Sequence, residues 1–125
     1  MEEIRRDGKF HEYLLISWGI IELRADESIL KTYCLSSQNP KAEPLLELSI
    51  GKRLEIFRNV GYLSKKDYEV VLEFKKKRNA LFHRDGIFIH ALSDKEKEEI
   101  MDSAKRAVDV MDNLSQSIKQ TVLVP

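Results

Sequence analysis

Residues 75–86 read KKKRNALFHRDG, and they hold the residue types in this chain best able to do chemistry. Arg78 carries a planar fork of donors suited to an anion. His83 carries an imidazole that titrates near neutral pH. Asn79 follows Arg78 directly and stands four residues, one helical turn, before His83. Lys75, Lys76, Lys77 and Arg84 add positive charge on either side. Such a group can hold an anion and move a proton beside it. The same letters also fit the end of an ordinary amphipathic helix, so the elements that would position them decide between the two.

The chain has 125 residues, of which 42% are hydrophobic and 34% charged, with only five Gly and three Pro. That suits one helix-rich domain spanning residues 1–125, with a core large enough to need no disulfide staples. Twenty-one basic residues balance 21 acidic ones, so any attraction for a polyanion must be local. A single cysteine, Cys34, excludes a disulfide framework and reads as a small buried hydrophobe in a reducing compartment. The most apolar run, YLLISWGII at 13–21, is too short to span a bilayer and lacks the flanks of a secretory signal. The expectation is a cytoplasmic protein with no membrane partner.

Apolar periodicity gives four helical stretches. The first runs from Glu3 to Leu35 with Leu14, Trp18, Ile21, Ala25 and Ile29 in register, and a break near Gly8 would divide it in two. SSQNPKAEP, at 36–44, reads as a loop. The second helix spans Leu45–Val60 and stops at Gly61. Ser64 with Asp67 caps a third that reaches His83 or Asp85 and ends at Gly86. IFIHAL, at 87–92, is a short connector. Ser93 with Glu96 forms a capping box that opens the fourth helix, which ends near Gln120. The fold expected is all-α, an antiparallel four- to five-helix bundle.

On a helical wheel, Tyr68, Val70, Val71, Leu72, Phe74, Leu81 and Phe82 fill one arc of the third helix. Arg78 falls near its middle, Asn79 towards one edge, and His83 just outside. An arginine there is costly to bury unless paired. Two readings follow. Arg78 pairs with a carboxylate of a neighbouring helix, for which Glu22 is the candidate, while His83 sits favourably at a helix C-terminus. Alternatively the stripe is a cleft or interface, with Arg78, Asn79 and His83 pointing into it.

RNALFH closing an apolar helix, with one more amphipathic helix after it, resembles the HEPN superfamily of small helical-bundle proteins. Many of its members are ribonucleases of toxin–antitoxin and other defence systems. Their motif is Arg, four to six residues, then His, often with Asn, Asp or His after the Arg, and Arg78, Asn79 and His83 match it. The resemblance implies a HEPN-like bundle that works as a homodimer with two motifs facing each other. It also implies a metal-independent endoribonuclease with no cofactor. RNA is then cut by attack of its own 2′-hydroxyl on the adjacent phosphate. His83 is the general acid or base. Arg78 holds the scissile phosphate, and Asn79 orients the imidazole or the ribose. Lys75, Lys76, Lys77 and Arg84 attract the backbone.

Some toxin members carry a tyrosine two residues after the histidine, modified by a partner enzyme; here that position is Asp85, which can instead tune His83. Silencing by an antitoxin or another protein of a different kind stays open. So does a non-catalytic role, as a dimerisation or adaptor module for a protein or RNA. The bare pattern recurs in Arg6…His11 and Arg84…His90, but a glycine interrupts each, Gly8 or Gly86. The letters HRD at 83–85 match a kinase loop in a chain too short for a kinase. His83, Asp85, His90 and Asp94 have no recognised metal-ligand spacing.

Overall fold

A computed structural model describes residues 2–83 and 92–118, with side chains from residue 8 to 81 and from 92 to 118. It is all-helical, and five helices are seen among the described residues: α1 (Glu2–Thr32), α2 (Glu43–Leu46), α3 (Ile50–Asn59), α4 (Lys65–His83) and α5 (Asp94–Ser117). Arg84, Asp85, the Gly86 stop and the connector up to Ala91 lie outside the described residues, while the last helix ends at Ser117, with Ile118 extended, short of the expected Gln120.

Helix α1 packs its regular stripe of Phe10, Leu14, Trp18, Ile21, Ala25 and Ile29 into the core. Burying each large member stabilises the fold by about 1.5–3 kcal/mol. The largest interface is with α5, whose buried face carries the small residues Ser103, Ala104, Ala107 and Ser115. Helix α4 is second against α5, with α3 bridging α1 and α4.

The chain runs through Gly8 without a break, so the division expected there does not occur. Each of the two exposed glycines of this 31-residue helix, Gly8 and Gly19, is tolerated at about 1 kcal/mol. The helix ends at Thr32 rather than Leu35. Cys34 takes φ 54, its N–H donates to Lys31 O at 3.2 Å, and Leu35 N–H donates to Leu30 O at 2.9 Å. This is a Schellman stop with a cysteine where glycine usually sits. Cys34 is exposed, not the buried hydrophobe expected. Gly61 (φ 87) makes the same stop after α3, as its sequence position suggests, with Tyr62 N–H donating to Phe57 O at 2.9 Å.

The helix expected over Leu45–Val60 is two. Ser49, extended at φ −61 and ψ 155, breaks it, and its hydroxyl accepts from Lys52 N–H at 3.2 Å to open α3. Arg53 holds the break in place. Its Nε donates to Leu48 O at 2.9 Å and its Nη2 to Leu46 O at 2.8 Å, while Nη1 pairs with Asp26 of α1. At 7% exposed, this arginine is the deepest described cation, and it satisfies carbonyls that the end of α2 leaves over. The later caps follow expectation: Ser64 accepts from Asp67 N–H, and Ser93 with Glu96 forms a full capping box.

Helix α4 runs antiparallel to its neighbours. Gly51 of α3 meets Lys75 while Arg58 stacks on Tyr68, and the start of α4 lies against the end of α5. The α1–α5 pair departs from the antiparallel expectation. Arg24 bonds Asp112 at 2.8 Å and Glu27 accepts from Ser115 at 3.1 Å, so partners advance together along both helices. The two run in the same direction, which residues 33–49 permit by carrying the chain back along the bundle before α3 begins.

Candidate functional site

Because α3 is short, it flanks α4 only from about Tyr68 to Lys75. Beyond that point α4 continues past Arg78 and Asn79 to His83, and Arg78 meets the middle of α1. The guanidinium lies over the Trp18 ring, 4.4 Å from its centre. Phe74, one turn earlier on α4, braces the same indole, with ring centres 6.3 Å apart and planes inclined at 58°. Nη1 donates to Asn79 Oδ1 at 3.3 Å. Burial pushes the guanidinium below its ordinary range, and the negative charge of Glu22 opposes that shift. Arg78 therefore sits where the wheel puts it, in the apolar arc and half-buried, on an aromatic face.

The other expected residues divide. Asn79 is in contact with Arg78, and Glu22, exposed on α1 one turn after Trp18, lies close enough to act on its charge. Lys75 is half-buried and reaches α3, where its Nζ stands 2.9 Å from where a Cβ on Gly51 would be. Lys76 points to solvent, and Lys77 pairs with Glu73 at 3.2 Å along the helix. Three consecutive helix positions are 100° apart, so these lysines spread around α4 and do not share one face. His83 is the last residue of α4, and its side chain is outside the described set together with Arg84 and Asp85.

Trp18 is the contributor that the sequence reading left in the core. Its helical spacing places it in the α1 stripe, but which α4 residue it faces depends on how the two helices register, and periodicity carries no such information. The glycine argument against Arg6…His11 also loses its force, since α1 is continuous through Gly8. What still sets Arg78 apart from that rival is its place in an apolar arc. That feature is shared: Arg53 occupies the stripe of Ile50, Leu54 and Phe57 and serves there as a carbonyl cap.

Elsewhere, a cleft of about 150 Å³ lies between Tyr62, Leu63 and Asp67 on one side and Val110 and Leu114 on the other. It is at the opposite end of α4 from Arg78, and Ser117, which also lines it, donates its hydroxyl to Leu114 O at 2.9 Å. Among the described residues no group of three His, Cys, Asp or Glu could hold a metal ion, and no helix is long and apolar enough to cross a membrane. Comparison with family models, with curated proteins and with solved structures finds no match for this chain.

Proposed function

We propose that this chain is a metal-independent endoribonuclease of the HEPN type, acting on RNA in the cytoplasm through a site built from Arg78, Asn79 and His83. The observation that carries the reading is the fixing of Arg78. A half-buried guanidinium is held over Trp18 and joined to Asn79 on the same helix whose last residue is His83. A pre-set cation of this kind suits the developing charge of a phosphodiester under attack, because no reorganisation is needed at the moment of reaction. His83 supplies the acid–base step on the 2′-hydroxyl or the leaving oxygen. Two copies of the motif meet in a homodimer, and an antitoxin or other silencing protein restrains the activity.

The test is cleavage of an RNA panel by purified protein in excess EDTA, comparing wild type with Arg78→Ala and His83→Ala of wild-type fold and mass. Cutting by wild type alone, leaving cyclic-phosphate ends, supports the reading. An intact panel, or equal cutting by the variants, sinks it.

A second reading is favoured by a different observation. The outer face of α1 exposes Leu15, Ile16 and Leu23 around Gly19, opposite the stripe that fills the core. Under this reading the bundle is a non-catalytic dimerisation or adaptor module, and Arg78 only ties α4 to α1. Solution mass by light scattering, on wild type and Leu23→Glu, separates a dimer on this face from a monomer.

A further inference from the structure

We infer that Trp18 is a positioning residue for phosphodiester binding: it holds the Arg78 guanidinium in the pose that receives the RNA backbone. The inference rests on the RNA reading of the site and adds to it a residue from a different helix. An arginine side chain has many rotamers, and fixing one of them for a ligand normally draws on binding energy. Here the guanidinium stands 4.4 Å over the indole, and one nitrogen is tied to Asn79 at 3.3 Å. Trp18 cannot follow a drifting partner, since it is only 9% exposed and Phe74 packs against it at 6.3 Å between ring centres. The ring thus sets the plane of the guanidinium fork that meets an anion. It also excludes water from one face, which strengthens attraction at the other. The negative charge of Glu22 opposes the effect of burial on this cation.

The experiment measures binding of a fluorescein-labelled, uncleavable 2′-O-methyl RNA oligonucleotide by anisotropy, over a series of salt concentrations. Wild type is compared with Arg78→Ala, Trp18→Phe, Trp18→Leu, Trp18→Met and the double variant Trp18→Leu/Arg78→Ala, each first shown to melt cooperatively. Loss of the ring in the Leu or Met variant weakens binding about tenfold, as Arg78→Ala does. Each of these also lowers the salt slope by about one single-strand phosphate contact, roughly 0.7. The double variant binds no more weakly than Arg78→Ala, and Trp18→Phe, which keeps a ring, stays within about threefold of wild type.

If Trp18→Leu and Trp18→Met keep wild-type affinity and slope while Arg78→Ala loses both, the positioning role is overturned and the RNA reading stands. Additive losses in the double variant overturn it as well. If neither ring-free variant folds, Trp18→Phe decides, because a loss as large as that of Arg78→Ala contradicts the role. Failure of wild type to bind removes the RNA reading and the inference together.

Discussion

The Arg78 guanidinium and the Trp18 indole form a cation–π pair, 4.4 Å from carbon to ring centre, that joins the second half of α4 to the middle of α1. A lysine at 78 keeps the charge but loses the planar fork and the flat contact. Arg78→Lys is therefore expected to lower stability by about 0.5–2 kcal/mol. The check is a lower urea midpoint with an unchanged slope. Trp18 is the sole tryptophan, so its emission should shift in the same variant.

Arg53 gives a larger effect. Arg53→Ala leaves Leu46 O and Leu48 O without the donors they have now and strands the Asp26 carboxylate at the edge of the core. The expected loss is about 2–4 kcal/mol. Hydrogen exchange should rise first at residues 43–49, because the break between α2 and α3 is what this side chain holds.

Cys34 predicts a gain. A non-glycine residue in the left-handed region is disfavoured by about 1–2 kcal/mol, and glycine gives back part of that through its freer unfolded state. Cys34→Gly should therefore stabilise by about 0.5–1 kcal/mol, and the β-branched Cys34→Val should destabilise, both read from melting curves. The exposed thiol should also react with a thiol reagent in the native protein.

Ser93→Ala removes the hydroxyl that accepts from Glu96 N–H at 3.1 Å and dismantles the capping box of α5. The expected loss is about 1 kcal/mol. Ser49→Ala at α3 should do the same; a full wild-type melting temperature in both would show that these caps carry no stability.

Local signals were legible where their physics is local. The Ser64 and Ser93 caps, the Gly61 stop and the stripe of α1 all depend on residues a few positions apart, and each is where its spacing puts it. Ser49 was legible too, but the apolar period runs from Leu46 through Ile50 and masks the cap, so two helices read as one. Cys34 shows the reverse: the Schellman hydrogen bonds are made without the glycine that signals such a stop, so nothing in the residue type marks it. For the site, the wheel put Arg78 on the apolar face and Asn79 beside it. It could not supply Trp18, nor could it separate Arg78 from Arg53, since both arginines sit in apolar stripes. Only neighbouring helices reveal that one caps carbonyls while the other lies on a ring.

The parallel pairing of α1 with α5 has a consequence for how the chain is made. Its contacts join residues 84 to 88 positions apart, such as Lys31 with Ser115 and Arg24 with Asp112. During synthesis the long apolar stripe of α1 emerges first and waits for the helix that covers it. Contacts this distant in sequence slow folding, because the intervening loop must be closed before they form. Until α5 leaves the ribosome, α1 is a surface for chaperones or for another nascent copy, and misassembly in that interval is the hazard this topology carries.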